Sequence, residues 1–226
     1  EDTSSPAMIR TSYMEEWAND RIEYCPLGTF VISEQVDVNR NDGTTTINCL
    51  DEMILMEGEY ESSLTYPNTI QNVALEIANK AEMQVNVTNF SRLSTKNIGK
   101  IEGATYRQAI GMIAQLEAGY ALFNRQGELE IRTLNNTEFE ITPDHYRSKG
   151  LVKNDLQYRL GGISVEVDDE TTLQAGSMQG SQISLENSLM TQELLNDVYA
   201  QLEDINFYPF TLEWWGNPAL EVGDWI

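Results

Sequence analysis

The chain has 226 residues and a mass of 25.6 kDa, with 41% hydrophobic and 22% charged residues, a composition that fits one large or two small globular domains and excludes a disordered or fibrous chain. Its 36 acidic and 14 basic residues give a formal net charge of -22 and a pI near 4.2. Such a surface repels nucleic-acid backbones and anionic membranes, which excludes binding driven by charge attraction to either.

The chain begins at Glu1 with "EDTSSPAMIR", which lacks the basic and apolar regions of a signal peptide and reads as a trimmed N-terminus. The most hydrophobic segment, Ala109 to Phe123, is interrupted by Gln115 and Glu117, so no run is apolar enough to span a bilayer. Cys25 and Cys49 are too few to staple a small secreted scaffold and read as buried thiols. The sequons at Asn86, Asn89 and Asn135 are about as many as chance supplies and carry no weight.

Residues 27 to 56 predict a β-hairpin. Phe30, Ile32, Val36 and Val38 share one face at period two, and Ile47 and Cys49 follow the break from Asn39 to Gly43. The run Asp37 to Gly43 spaces oxygen ligands like the start of a calcium loop. Its turn glycine comes one place late, its twelfth position is Asn48 rather than a glutamate, and its flanks alternate like strands, so it predicts a hairpin turn.

From Pro67 the period changes. Ile70, Val73, Ala74, Ile77, Ala78 and Ala81 form a helical stripe that Asn68 or Thr69 can cap. A second helix follows in "TYRQAIGMIAQLEAG": Thr105 and Gln108 have capping-box spacing, Tyr106, Ala109, Ile110 and Ile113 form the stripe, and Gly119 suits the stop. In "YALFNRQGELEIRTL" a hairpin is expected, with Leu129 and Ile131 inward and Glu128, Glu130 and Arg132 outward. Residues 151 to 186 predict short strands at "GGISVEV" and "SQISL", split by a polar loop from Asp168 to Gly180. Helical spacing returns at Gln192 to Glu203, where Thr191 caps and Leu194, Leu195, Val198 and Leu202 align. Last come two alternating apolar runs around Gly216-Asn217-Pro218: Leu212 and Trp214, then Leu220, Val222 and Trp225. Strands that stop and resume around a helical insert predict an α+β chain with a discontinuous β domain.

Little in this pattern carries reaction chemistry. One histidine, His145, excludes zinc sites built on paired histidines and reads as a surface or partly buried turn residue, with no nucleophile elbow or cysteine-protease signature beside it. "LGG" at 160 to 162 lacks the spacing of a phosphate-binding loop. With 36 acids some carboxylate pair is inevitable, so pairs say nothing about glycoside hydrolysis. The aromatics Phe207, Tyr208, Phe210, Trp214 and Trp215 suit core packing or a subunit interface, with a sugar-stacking platform as the alternative. No catalytic, cofactor-binding or metal-binding residue is assigned.

The order of "PLGTFVISE", "DGTTTINCLDEM", "TYRQAIGMIAQLEAGYALFNRQGELEIR", "ITPDHY" and "YPFTLEWWGNPALEVGDWI", across residues 26 to 226, resembles the hub proteins of bacteriophage tails, including prophage tail proteins of Gram-positive hosts related to tail endopeptidases. The resemblance implies a first β-barrel-like domain from residues 1 to 64 and 141 to 190, an inserted α+β domain from 65 to 140, and a helix with the opening hairpin of a second β-barrel from 191 to 226. The early strands of the first barrel are missing or unlike the family's, and the chain would stop inside the second barrel's first hairpin. It further implies a non-enzymatic structural role in a homotrimeric ring that closes or extends the tail tube in the virion, assembled in the bacterial cytoplasm. Expected partners are distal tail, tube, tape-measure and spike proteins, with no membrane and DNA only as passing cargo along an acidic lumen. Residues 1 to 226 alone are expected to be a monomer or a weak, non-ring oligomer. Two other readings remain: a secreted carbohydrate-binding module using Trp214 and Trp215, and the non-catalytic part of a peptidoglycan hydrolase.

Overall fold

A computed structural model describes residues 8–16, 22–34, 36–137 and 139–225. Strand β1 (Met8–Glu16) runs antiparallel to β2 (Ile22–Ile32), with a register shift between Thr11 and Ser12. The small hairpin of β3 (Asp37–Asn39) and β4 (Thr44–Thr46) closes over a turn in which Asn39 donates to Asp42 at 2.6 Å and Gly43 takes a φ of +62°. The calcium-like run is thus a hairpin turn. β5 (Cys49–Leu50) then returns beside Val31 and Ile32 of β2.

The inward face of this hairpin differs from expectation. Thr29 and Val31 are buried, whereas Val36, Val38 and Ile47 are exposed. Both parities of β2 are apolar, so alternation alone does not choose between them; the choice is made by a contact distant in sequence. A Cβ on Gly127, at the tip of a later hairpin, would lie 3.3 Å from the Thr29 hydroxyl, so that tip sits on the Thr29 face.

A 3₁₀ turn over Glu52–Met56, capped by Asp51, leads into β6 (Asn68–Thr69) and helix α1 (Ile70–Lys80). Thr69 caps α1 by accepting from the Asn72 amide at 3.2 Å, and Ile70, Val73, Ala74, Ile77 and Ala78 are all buried. A short helix α2 (Val87–Phe90) and strand β7 (Asn97–Ile98), paired with β6, precede α3 (Tyr106–Leu116). Both halves of the predicted capping box are present at Thr105 and Gln108. The stop of α3 is one residue earlier than expected. Ala118 takes the left-handed conformation (φ +54°), with Ala118 N–H bonded to Gln115 and Gly119 N–H to Ala114, the paired bonds of a Schellman ending. Gly119 serves a different need: a Cβ there would lie 2.6 Å from the Arg132 carbonyl oxygen, because the chain turns directly into a paired strand.

That strand, β8 (Tyr120–Phe123), pairs with β9 (Leu129–Arg132) as predicted, and Leu129 and Ile131 are buried. Glu130 corrects the expectation of an outward charge. It is buried, and the amides of Asn86 and Asn124 and the Arg132 guanidinium satisfy its carboxylate.

After β10 (Asn135–Asn136) and a 3₁₀ turn at Pro143–His145 come β11 (Tyr146–Lys153) and β12 (Tyr158–Asp168). The stretch expected as a polar loop contains a strand, β13 (Thr171–Gly176), antiparallel to β12; β14 (Ser181–Glu186) then lies parallel to β12 on its other side. Exposed threonines and a glutamine made β13 read as a loop, yet an edge strand tolerates polar side chains. Residues 177 to 180 cross over the end of β12. This crossing explains "LGG": a Cβ on Gly161 would be 1.5 Å from the Gln179 carbonyl oxygen, and one on Gly162 2.3 Å from the Met178 sulfur.

Helix α4 (Gln192–Leu202), capped by Thr191, packs on β12 and β13 through Leu194, Leu195 and Val198. One contiguous core runs from Met53, Met56 and Tyr60 through α1 and α3 to Ile163, Val165 and α4. The fold is therefore mixed α+β, built mostly of small open sheets with four helices, and no closed barrel forms among the described residues.

The C-terminal strands pair with earlier parts of the chain. β15 (Asn206–Phe207) lies beside Tyr158 and Arg159 of β12, and β16 (Phe210–Trp214) is antiparallel to β11. β17 (Asp224–Trp225) runs parallel to β10. The hairpin expected around Gly216-Asn217-Pro218 does not form between β16 and the final run. Arg125 and Arg132 hold Glu221 in ion pairs, and the Tyr120 hydroxyl donates to the Val222 carbonyl, which draws residues 220–225 onto β8 and β10 instead.

Candidate assembly surface

The aromatic C-terminal segment is built into a ribbon of two strands, β11 and β16. Tyr146 is paired with Trp214, Leu151 with Leu212 and Lys153 with Phe210, with an irregularity between Tyr146 and Leu151. Gly150, inside that irregularity, lies where a Cβ would be 2.8 Å from the Glu213 carbonyl oxygen. Among the described residues neither strand has a second partner, so both outer edges keep free backbone donors and acceptors.

The ribbon and the residues leading into it carry exposed apolar surface. Phe210 is 49% exposed, Val152 67% and Trp215 72%, and Leu151, Phe207 and Tyr208 are exposed as well. A groove of about 400 Å³ opens on one face, with Tyr146, Leu151, Tyr208 and Phe210 in its lining and one cation, Lys153, and one carboxylate, Glu140, among them. Rings are arranged around it. Tyr158 stacks on Phe207 at 4.9 Å between centroids, Phe139 stacks on His145 at 5.7 Å, and Phe139 meets Trp214 at 6.1 Å. Scattered exposed hydrophobics are ordinary; a contiguous group with unpaired strand edges marks an interaction site.

Its charge is equally unusual for this chain. Arg147, Lys149, Lys153 and Arg159 place four cations within thirteen residues of a strongly acidic protein, and no carboxylate lies within ion-pair distance of them among the described residues. Instead the Lys153 ammonium sits 4.0 Å above the Tyr208 ring and the Arg147 guanidinium 5.6 Å from the Trp215 ring. The sequence reading found the aromatics and missed these cations. The signal was present: residues 141 to 163 hold four cations against Asp144 and Asp155 in a chain whose net charge is -22.

The other residues considered from sequence are dispersed. His145 is a half-buried turn residue, as expected, and the Thr142 amide donates to its Nδ1 at 3.1 Å. Cys25 and Cys49 are free thiols, half-buried rather than fully enclosed; Cys25 Sγ lies 3.1 Å from the Arg125 guanidinium and 3.6 Å from the Pro218 carbonyl. Cys49 lies on β5, an edge strand of its sheet, and Cys25, on the central strand β2, faces the polar contacts of Arg125 and the docked C-terminal segment instead of the core. Among the described residues, no group of three or more His, Cys, Asp or Glu side chains could hold a metal ion, and no helix is long and apolar enough to cross a membrane.

No protein-family model matches the chain, and no curated protein sequence matches it. Among solved structures it is similar to the tail protein from Neisseria meningitidis MC58, with a TM-score of 0.47 and 12% identity over 79% of this chain and 60% of that one. It is also similar to the 43 kDa tail protein of prophage MuSo2 from Shewanella oneidensis, with a TM-score of 0.49 and 12% identity over 87% of this chain and 68% of that one. The chain thus spans about three fifths of the first of these proteins and about two thirds of the second, and both are tail proteins.

Proposed function

We propose that this chain is a structural component of a phage tail tip or baseplate hub, part of the ring that closes or extends the tail tube and connects it to the host-recognition or penetration apparatus. In this reading it is non-enzymatic and resides in the virion as a homotrimer in its full-length form. It contacts distal tail, tube, tape-measure or spike proteins, and its acidic surface lets DNA pass without adhering. The division into a discontinuous β-barrel-like domain (1 to 64 and 141 to 190), an α+β insert (65 to 140) and a second β domain from 191 belongs to the same proposal, as does kinship with hubs of Gram-positive phages.

One observation carries it. Two of the segments on which the hub resemblance rests, "ITPDHY" and "YPFTLEWW", lie more than sixty residues apart yet meet as neighbours where Tyr146 pairs with Trp214. Together they build the exposed, two-edged aromatic ribbon, a surface suited to a subunit that functions by contact with other subunits. Immunogold labelling of intact phage particles with an antibody to this chain tests the proposal. Label at the tail tip is expected, and particles whose tails carry none would refute it.

A further inference from the structure

β12 joins two surfaces of opposite character. At its start, Tyr158 and Arg159 pair with β15, next to the aromatic ribbon and its unpaired cations Arg147, Lys149 and Lys153. At its far end, Glu166 lies opposite Glu186 of β14, and Asp168 opposite Thr171. There a hollow of about 580 Å³ opens between α3 and the strand ends, flanked by Glu102, Glu166, Asp168, Asp169 and Glu186. Glu166, Asp168, Asp169 and Glu186 make no ion pair among the described residues. Backbone and side-chain hydrogen bonds from Glu170 and Thr171 hold the Asp168 carboxyl below the usual carboxylate range, so it is charged at neutral pH.

The eleven residues of β12 separate these two surfaces by about 30 Å at about 3.3 Å per residue. Attraction between exposed charges fades over about 8 Å at physiological salt, so within one copy the two ends cannot satisfy each other. Between copies they can. We infer that the cationic aromatic ribbon β11–β16 of one copy docks against the acidic α3–β12–β14 end of the next, a head-to-tail contact between two copies of this chain.

The occupant follows from complementarity. The ribbon offers exposed rings, aliphatic side chains and unpaired cations. Among the described residues the opposing end offers carboxylates without cation partners, beside the apolar stems of Met112 and Val167, and a β14 edge with no further strand on it. A contact between two different patches propagates from copy to copy and closes into a ring when the rotation per step allows it. This deepens the tail-ring reading and rests on it for its biological setting, but the contact itself is measurable on the isolated chain.

Sedimentation velocity on three proteins tests it: the wild type, a ribbon variant carrying Arg147→Glu and Lys153→Glu, and an acidic-end variant carrying Asp169→Lys and Glu186→Lys. All four side chains are exposed, and circular dichroism verifies that each variant is folded. The wild type should associate in a concentration-dependent way that weakens as salt is raised. Each variant alone should associate at least about tenfold more weakly. An equimolar mixture of the two should recover association, because the intact ribbon of the acidic-end variant meets the intact acidic end of the ribbon variant, and the two charge-reversed surfaces are complementary in their turn. A wild type that stays monomeric, a single variant that associates as strongly as wild type, or a mixture no different from its components would overturn the inference. Particle labelling is unaffected by any of these results, so failure of this contact and failure of the tail reading are told apart.

Discussion

Glu76 of α1 provides the sharpest test of how the α+β core is tied together. Its Oε2 accepts hydrogen bonds from the Tyr60 hydroxyl at 2.7 Å and the Ser62 hydroxyl at 2.6 Å. Its Oε1 accepts from the Ser63 amide at 2.8 Å and the Ser63 hydroxyl at 2.6 Å. One carboxylate therefore fastens the irregular stretch at 60–63 onto the helix. Burial pushes its pKa up, but the hydrogen bonds from Ser62, Ser63 and Tyr60 outweigh burial and lower it from 4.5 to about 2. A depressed folded pKa stabilises the protein fully above about pH 4.5, and that contribution is lost as pH falls towards 2. At about 1.4 kcal/mol per pH unit the upper bound is about 3 kcal/mol. The side chain is 9% exposed, and screening by the water it meets brings the expectation to about 2 kcal/mol. Glu76→Gln replaces one acceptor oxygen with a donor facing other donors. Urea unfolding followed by tryptophan fluorescence should show the variant about 2 kcal/mol less stable at pH 7. The gap between the proteins should narrow between pH 4.5 and 2. A gap that is the same at pH 7 and pH 2.5 would refute the reasoning, because the charge on Glu76 would then contribute nothing.

Three further perturbations follow from particular contacts. Ile113 is fully buried on α3, so Ile113→Ala should cost about 2 to 5 kcal/mol in urea unfolding; an unchanged midpoint would contradict its packing. At Gly161 a Cβ would lie 1.5 Å from the backbone oxygen of Gln179, so Gly161→Ala should displace the crossing and speed proteolytic cleavage at residues 177 to 180, whereas unaltered cleavage would mean the crossing lies elsewhere. Glu221 is held by both Arg125 and Arg132, so Glu221→Ala should release residues 220–225 and accelerate their amide hydrogen exchange while α1 and α3 stay protected.

The helices were legible in the sequence because their information is local. The stripes at Ile70 to Ala78 and Ala109 to Ile113, and the caps Thr69, Thr105 and Thr191, lie within a few residues of what they act on. What failed was decided by partners distant in the chain. The parity of β2 depends on the hairpin tip at Gly127, and the inward turn of Glu130 on Asn86, Asn124 and Arg132. The course of residues 220–225 depends on two arginines about ninety residues earlier. β13 was hidden for another reason: an edge strand has no need of alternating apolar residues. For the candidate surface, the rings were visible as a cluster. The pairing of β16 with β11, which sets cations among those rings, has no local signature.

Amide hydrogen exchange measured on the free chain and on the same chain within purified tail particles tests the central claim most directly. Among the described residues the outer edges of β11 and β16 are unpaired, so the outward-facing amides within 146–153 and 210–214 should exchange rapidly when the chain is free and become protected in the particle. The α1 and α3 amides should be slow in both. Equal exchange of the ribbon in the free and particle-bound chain would contradict its role as an assembly surface.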